Sequence, residues 1–464
     1  ISAAVYYSFL KQKQFHITPN DLFTEIIAFL CYVSVRRHHN DLITDGLFAL
    51  EDLPRMKSEL YVQIENLRSC IEKLSKVYGI PKVEFEEIFN RVKKMLDDKS
   101  FLRTLEKMRM YTPHERWYFF LIYIFSQLVD KDKLSAANIG ARKVTAFDPQ
   151  YVSQYISQKT MNVKSDLNNK REEVRISVLK RIDDLSDEEL QSKKIFVLTA
   201  PTGIGKTLTS MQAAFRLAQR LSEIYDYTPK IITAIPFINI IEQTKDDYLK
   251  VLKDRAVINI HHRLAEKRLI GKKDDENTPL EKSLLEVDGW EGDVILTTFV
   301  QLFQSLFTGD NTRLKKINKL AGSIVILDEV QSIPEKYMPL IGATLIRIAE
   351  YYGTRFILMS ATQPYLIEMG QRLLEKCTSE HGKGEASNID FDIHKNTVDL
   401  LPEYKDLYQL QTRTKIIPSF NDDKPFDNDT FIDFFDKTWE KRSAVVVVNT
   451  IQRCVELYKK MVDK

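Results

Sequence analysis

The chain has 464 residues, of which 44% are hydrophobic and 28% are charged, a composition typical of a soluble, globular protein of about three domains. Its formal net charge of +2 excludes a global basic field, so any surface for nucleic acid must be local. The four scattered cysteines include no C-x-x-C pair, which argues against a disulfide or cysteine–zinc framework and fits a reducing cytosol.

No signal peptide is visible, and the most apolar run, residues 117–125, is far shorter than the roughly 20 residues that span a bilayer. The sequence therefore predicts a cytoplasmic protein without a membrane partner, and a buried helix at this run. The chain starts at Ile1 without a methionine and stops directly after a strand–helix pattern, so we expect it to be a fragment.

Residues 1–142 are predicted to be helical throughout, because apolar side chains recur at spacings of three and four and no alternating strand pattern appears. Two clusters at predicted helix ends could carry chemistry. One is the run R-R-H-H-N-D, which contains His38 and His39, and the other is S-Q-L-V-D-K-D, which contains Asp130 and Asp132. Imidazole and carboxylate groups can bind metal, but most such pairs are metal-free, so both interpretations stay open here.

Residues 143–192 are polar and charged, with one amphipathic helical pattern. They are predicted to be a linker and the helix that leads into the next domain. From residue 193 the pattern changes to alternating strands and helices, which is typical of a parallel sheet covered on both faces. The predicted strands are Ile195–Thr199, Lys230–Thr233, Val257–Ile260, Val294–Thr298, Ser323–Leu327 and Arg355–Met359. The predicted helices are Lys206–Leu221, Ile238–Leu252, Phe299–Phe307, Met338–Tyr352 and Pro364–Cys377.

A phosphate-binding loop follows the first of these strands, and a helical pattern follows the loop. Its glycines let the backbone fold around phosphate oxygens at a helix N-terminus. In this arrangement Lys206 contacts the β- and γ-phosphates of ATP, and the Thr207 hydroxyl binds Mg²⁺. The residues predicted to contact the nucleotide are Ala200, Pro201, Thr202, Gly203, Ile204, Gly205, Lys206 and Thr207.

Polar residues at the ends of two later strands complete the predicted ATP site, because an α/β sheet places its ligands there. Asp328 is predicted to hold Mg²⁺ through water, and Glu329 to polarise the attacking water. Gln331 is assigned to the same nucleotide site. Ser360 and Thr362 are predicted to couple the nucleotide side to the substrate side.

Three further loops have residues suited to a single-stranded polynucleotide. Backbone N–H groups and hydroxyls can grip phosphates without reading bases, and an aromatic ring can stack on a base. The predicted DNA-contacting residues are Pro236, Phe237, Thr297, Thr298, Asn449 and Thr450. His261 and His262 are interpreted as structural or as a minor contact.

Beyond residue 382 the sequence is polar and irregular up to Asn428. A helix (Phe431 to Trp439), a strand (Ala444 to Val448) and a helix from Ile451 are predicted next. This is the opening unit of a second α/β lobe, which is cut short.

The order of these motifs is that of superfamily-two helicases, and their residues match a narrower group within that superfamily. The chain resembles the CRISPR-associated helicase–nucleases of type I systems (the Cas-three family) in A-I-P-F-I-N-I-I-E-Q, T-T-F-V-Q-L-F-Q-S-L-F, D-E-V-Q-S-I-P, M-S-A-T-Q-P and the upstream N-N-K-R-E-E. The resemblance implies an ATP-dependent translocase and helicase that acts on single-stranded DNA in antiviral interference. It also implies a partner, the surveillance complex bound to target DNA.

The same resemblance implies an all-α HD-type nuclease with metal ions, either Mg²⁺ or a divalent transition metal, ahead of the helicase. His38, His39 and Asp130 match its ligand positions, while other ligands of the family lie outside this chain. The implied order is a partial HD-type domain (1–142), a linker with its helix (143–192), a first RecA-like lobe (193–382) and the start of a second (383–464).

Neither implied catalytic unit is complete, so we expect this chain alone to bind ATP–Mg weakly and to turn it over poorly. Two other interpretations are open. One is a different superfamily-two motor, such as a restriction or repair translocase, whose helical N-terminus is an accessory domain without nuclease activity. The other is a non-enzymatic, nucleotide-gated adaptor, which would not need the water-activating Glu329.

Overall fold

The computed structural model describes residues 22–42, 53–79, 81–97, 115–140, 142–160, 165–262, 269–270, 280–380, 391–403, 407, 427–439 and 443–462. The chain divides into two compact units, Ile1–Tyr408 and Gln409–Lys464. Among the described helices, none is long and apolar enough to cross a membrane.

A mainly parallel sheet forms the centre of the first unit. Its strands lie in the order β4-β3-β5-β2-β6-β7-β1-β8, and all neighbours are parallel except the antiparallel pair β3 and β4. The strands are β1 (Ile195–Thr199), β2 (Ile231–Ile235), β3 (Ile258–His261), β4 (Leu269–Ile270), β5 (Val294–Thr298), β6 (Ile324–Leu327), β7 (Arg355–Ser360) and β8 (Thr397–Asp399). The central strands are short and continuously apolar, as expected where helices cover both faces of a sheet.

The helices are α1 (Leu22–Arg37), α2 (Leu53–Ser69), α3 (Ile71–Tyr78), α4 (Lys82–Asp97), α5 (Glu115–Ala136), α6 (Gln150–Thr160), α7 (Asp166–Asp183), α8 (Asp187–Ser192), α9 (Lys206–Ile224), α10 (Ile238–Leu252), α11 (Leu280–Asp288), α12 (Phe299–Leu306), α13 (Asn311–Leu314), α14 (Met338–Tyr352), α15 (Leu366–Glu380), α16 (Ile393–Asn396), α17 (Asn428–Thr438) and α18 (Ile451–Val462). Short 3₁₀ turns span Ile317–Leu320, Val330–Ser332 and Glu335–Tyr337.

Two hydrophobic layers enclose the sheet. On one face, Phe215 of α9 and Val178 of α7 are fully buried in a core with Phe196 of β1. On the other face, Phe125 of α5 is buried in a core that also contains Phe356 of β7. The long helix α5 from the predicted nuclease region therefore packs directly on the predicted first RecA-like lobe, which is called the motor lobe in the proposals below.

Helices α14 and α15 approach each other closely enough for their backbones to touch. A Cβ atom placed on Gly342 would lie 2.0 Å from the Leu366 carbonyl oxygen, and one on Gly370 would lie 2.2 Å from the Gly342 carbonyl carbon. These two glycines are required by the packing of the helices.

The predicted α/β lobe with its parallel sheet is confirmed, and the helices Ile238–Leu252 and Met338–Tyr352 have the predicted bounds. The region from 143 to 192 differs from the prediction, because it contains three helices instead of one. Strand β8 also differs, since it lies in the stretch predicted to be irregular and pairs with β1. The sheet thus extends past the predicted boundary at residue 382.

The second unit contains helices α17 and α18, which meet through polar contacts. Asn428 donates to Glu456 over 3.1 Å, and Arg453 donates to Asn428 over 3.2 Å. Residues 443–448, predicted to include a strand, have no strand partner among the described residues, and Val445 and Val447 are largely exposed. A second RecA-like lobe stays a prediction.

Candidate active sites

The phosphate-binding loop lies between β1 and α9. Gly203 and Gly205 have φ angles of +81° and +86°, in the left-handed region that residues with a Cβ rarely adopt. Helix α9 begins at Lys206, whose ammonium donates to the Ala200 carbonyl over 2.9 Å. The same nitrogen lies 3.8 Å from Glu329 Oε1. The loop thus presents glycines, a lysine and a helix N-terminus at the carboxyl edge of the sheet.

Arg171 of α7 supports this loop from the side. Its Nε and Nη2 donate to the Gly203 carbonyl over 2.9 and 2.8 Å, and its aliphatic stem faces Gly205. A fork of two N–H groups on one carbonyl fixes the direction in which that peptide points. Arg171 belongs to the N-N-K-R-E-E stretch, but the sequence alone does not indicate this contact.

Asp328 and Glu329 lie where β6 ends, across the loop from Lys206. Asp328 is buried, and its amide donates to the Ala234 carbonyl over 3.0 Å. Burial raises the pKa of the Asp328 carboxyl to about 6, with a further rise from the charge of Glu329. Glu329 has a φ angle of +52°, a conformation that is uncommon outside glycine and that concentrates at functional sites.

A chain of polar contacts joins this acidic pair to β7. The Gln331 amide donates to Glu329 Oε2, and Gln331 Oε1 accepts from the Ser360 hydroxyl over 2.8 Å. Ser360 Oγ in turn accepts from the Thr362 amide over 3.2 Å. Two residue sets predicted separately from the sequence, the nucleotide site and the coupling residues, are therefore linked at one edge of the sheet.

The donor set fits Mg²⁺. Asp328 and Glu329 bring two carboxylates together, while the single positive charge of Lys206 balances only one of them. The raised pKa of Asp328 reflects burial first and this excess of negative charge second. Carboxylate and hydroxyl oxygens suit a hard divalent cation, so Asp328 and Thr207 are the residues that would hold it beside a nucleotide.

The predicted DNA loops end β2 and β5, on the same edge. Phe237 is 59% exposed and available for stacking. Thr297 is fully buried and its hydroxyl donates to the His261 carbonyl over 2.9 Å, while the Thr298 hydroxyl caps α12. DNA contact at these residues and at Pro236 stays a prediction, and Thr297 would have to contribute through its backbone.

His261 has a structural setting, as interpreted from the sequence. It accepts a hydrogen bond from Trp290 Nε1 over 3.1 Å and lies 3.4 Å from Asp288.

In the second unit, Asn449 and Thr450 precede α18, and Thr450 Oγ1 accepts from the Arg453 amide over 3.2 Å. This contact stabilises the start of α18. DNA contact by Asn449 and Thr450 stays a prediction.

A candidate metal centre lies where α1 and α5 end. His38, His39 and Asp132 bring three ligand atoms within 4.8 Å of one another. His38 Nδ1 lies 2.6 Å from the Val35 carbonyl, which can only accept, so this nitrogen carries the proton and leaves Nε2 as the ligand atom. Metal-binding histidines are commonly oriented in this way by a backbone carbonyl. The residues present therefore fit a divalent metal.

Asp130, predicted as the carboxylate ligand, lies elsewhere. It is 2% exposed, accepts a 2.8 Å hydrogen bond from Lys319, and so belongs to a buried ion pair. Residues two apart on a helix point to different sides, so only one of Asp130 and Asp132 can face the histidines. The structure brings Asp132, and not Asp130, next to the two histidines, and a metal role for either carboxylate stays a prediction.

Comparison with known proteins gives the class of the lobe first. Residues 181–369 match the profile of the DEAD/DEAH box helicases, and they contain the loop, the Asp-Glu pair and the Ser-Ala-Thr segment described above. These residues are therefore similar to the helicase domains of that class.

A second match is to a curated relative. The chain is 30% identical over 240 residues to the CRISPR-associated nuclease/helicase Cas3 of Haloferax volcanii. The match covers 48% of this chain and 26% of that protein, so the chain spans a minor part of its relative's length. The resemblance to the CRISPR-associated helicase–nucleases is thereby confirmed.

Solved structures similar to the chain include Cas3 of T. fusca, at 15% identity and a TM-score of 0.48, and its ATP complex, at 14% identity and a TM-score of 0.48. They cover 84% of this chain, and 43% and 42% of theirs.

Proposed function

We propose that the chain is the nucleotide-binding lobe of an ATP-dependent, single-stranded-DNA translocase and helicase, joined to a metal-dependent DNA nuclease. The observation that carries the motor part is the meeting of Lys206, Asp328 and Glu329, with the Gln331–Ser360 link behind them. The adaptor alternative has no use for Glu329, and the arrangement therefore favours hydrolysis.

The chemistry follows from the positions of these groups. Lys206 would exchange the Ala200 carbonyl and Glu329 for phosphate oxygens, and the loop N–H groups would bind the remaining ones. Glu329, released from Lys206, would accept a proton from the attacking water. Mg²⁺, when bound, would neutralise charge on the phosphates, and Asp328 and Thr207 would orient it. The Gln331–Ser360 contact would couple the nucleotide state of this site to the edge of the sheet that carries the predicted DNA-contacting loops.

The nuclease part of the proposal is supported by His38, His39 and Asp132. A bound divalent metal would lower the pKa of a water molecule and stabilise charge on the scissile phosphate. Two imidazoles and one carboxylate favour a transition metal over Mg²⁺ at this position. The HD-type assignment of the helical region belongs to the same proposal.

The biological setting is proposed from the relative. Cas3 of Haloferax volcanii is named as CRISPR-associated, and by similarity we place this chain in type I interference in the cytoplasm. Single-stranded DNA and a surveillance complex bound to target DNA are the proposed partners.

The motor proposal is tested by titrating the chain with a fluorescent ATP analogue and Mg²⁺. Binding is expected in the unmodified chain, and Lys206→Ala is expected to weaken it at least tenfold because it removes the phosphate-binding cation. Lys250→Ala, which removes an exposed lysine of α10, is the control and is expected to leave affinity unchanged. Equal affinity of all three proteins would overturn the assignment of the site.

The nuclease proposal has its own test. The chain is incubated with Mn²⁺ or Co²⁺, and metal affinity is measured by calorimetry for the unmodified chain and for His38→Ala and Asp132→Ala. Loss of affinity in both variants is expected. Metal binding that is indifferent to both changes would favour the alternative motor with an accessory helical domain.

A further inference from the structure

Asn311, in the motor lobe, contacts both elements that carry the candidate metal ligands. It begins the short helix α13 after β5 and α12, and it is 7% exposed. Its side-chain amide uses both ends: Nδ2 donates to the His38 carbonyl, and Oδ1 accepts from Lys133 over 3.0 Å. Lys133 follows Asp132 directly on α5.

Two neighbouring contacts reinforce this bridge. The Asn311 amide donates to Asp41 Oδ1 over 3.0 Å, and the Leu42 amide donates to the Gly309 carbonyl over 2.8 Å. The turn that follows His39 is therefore held to residues 309–311 by side-chain and backbone hydrogen bonds. The two histidines and Asp132 come from segments about 90 residues apart in sequence, and Asn311 joins the ends of both.

We infer that Asn311 is a positioning residue of the candidate metal centre, so that the motor lobe sets the distance between the His38–His39 pair and Asp132. This inference rests on the proposed metal site. The asparagine amide suits the task because it offers a donor and an acceptor in a fixed plane, one for each segment. Because groups that orient metal ligands typically change affinity by about 10- to 100-fold, the contribution is measurable.

Variants that separate the two ends of the amide test the inference. Asn311→Ala removes both contacts, while Asn311→Asp keeps the acceptor for Lys133 and loses the donor to the His38 carbonyl. Asp41→Ala loosens the same turn from its exposed side, and this variant keeps the test valid should changes at buried Asn311 prevent folding. Thr312→Ala is the matched control, since its exposed hydroxyl bonds to Asp310 within its own turn.

Two quantities are measured on each full chain. Co²⁺ affinity, followed by the visible absorption of the bound ion, is expected to fall about tenfold in both Asn311 variants and less in Asp41→Ala. In the metal-free protein, amide hydrogen exchange of residues 38–42 is expected to accelerate in the same variants. Thr312→Ala is expected to match the unmodified chain in both measurements. ATP-analogue affinity serves as a check that the lobe is folded.

Folded Asn311 variants with unchanged Co²⁺ affinity and unchanged exchange would overturn the inference while leaving the metal centre intact. Failure of the proposed function looks different. In that case His38→Ala does not change the Co²⁺ affinity of the chain, and the positioning role of Asn311 falls together with the metal centre.

Discussion

Lys319 donates a 2.8 Å hydrogen bond to Asp130, and the two side chains are 6% and 2% exposed. The pair joins α5 to the 3₁₀ turn before β6, and Glu291 binds the same ammonium. Ser126, one turn earlier on α5, accepts from the Asn318 amide over 2.8 Å. A group of buried polar contacts therefore lies between α5 and the α/β lobe, inside an otherwise apolar contact.

Changing Asp130 to Asn is expected to lower the free energy of unfolding by about 1 kcal/mol, because Lys319 loses one of its two carboxylate partners and keeps Glu291. Its metal affinity is expected to stay unchanged. Asp132→Asn should lower the metal affinity and leave the free energy of unfolding nearly unchanged, since Asp132 is exposed and lies beside the histidines. Denaturant unfolding and Co²⁺ titration of both variants make the comparison. Loss of metal affinity in Asp130→Asn alone would restore the assignment made from the sequence.

Arg171 gives a prediction for the nucleotide site. Arg171→Ala is expected to weaken binding of an ATP analogue about tenfold, because the Gly203 peptide loses the fork that directs it. Arg171→Lys should retain only part of the affinity for the ATP analogue, since an ammonium cannot make the two parallel bonds. Lys170→Ala is the control, because Lys170 on the same helix pairs with Glu173. Full affinity in Arg171→Ala would show that the loop holds its shape unaided.

The raised pKa of Asp328 predicts a dependence of stability on pH. The folded chain holds this proton up to about pH 6, whereas the unfolded chain releases it near pH 4. The stabilisation from this group is therefore complete below the lower value and is lost as pH rises to the higher one. Asp328→Asn does not titrate, so its advantage over the unmodified chain should grow to about 3 kcal/mol across this interval.

Urea unfolding of the nucleotide-free proteins between pH 4 and pH 7 measures this difference. Parallel stability curves for the two proteins would contradict the raised pKa. An independent check is the Mg²⁺ dependence of ATP-analogue binding. It should weaken below about pH 6 in the unmodified chain, because a protonated carboxyl is a poor ligand for a hard cation.

Close backbone contact between α14 and α15 gives a prediction for stability. Gly342→Ala places a methyl group 2.0 Å from the Leu366 carbonyl oxygen, so the helices must separate. We expect a loss of at least about 3 kcal/mol, although alanine ordinarily stabilises a helix relative to glycine. Thr344→Ala on the same helix is the control, as its hydroxyl bonds to the Leu340 carbonyl one turn back. A higher melting temperature in Gly342→Ala would refute the close approach.

The sequence predicted the α/β lobe well, because its strands are apolar runs bounded by polar loops. Strands Ile195–Thr199 and Val294–Thr298 have the predicted bounds. Strand β8 could not be found in this way, since it has three residues and alternates polar and apolar at the edge of the sheet. Its assignment depends on pairing with β1, which is information from elsewhere in the chain.

The candidate sites show the same contrast between residues that local sequence predicts and residues whose role depends on distant contacts. Lys206, Asp328 and Ser360 follow predicted strands, and parallel strands bring their carboxyl ends to one edge, so the sequence could predict their meeting. The choice between Asp130 and Asp132 depends on which side of α5 faces the turn after α1, and spacing along one helix does not fix that. Nothing in the sequence indicates the positioning role of Asn311, because asparagine is common in loops and turns and its two contacts are seen only in the structure.

The apolar side of α5 has a consequence for how this chain can be divided. Phe119, Ile122 and Phe125 share a buried cluster with Ile317 and Leu320 of the motor lobe. Without residues 115–136, the α/β lobe would expose this apolar surface to water, and such a surface promotes self-association. A version of the lobe made without α5 would therefore need polar side chains on this surface or a partner that covers it.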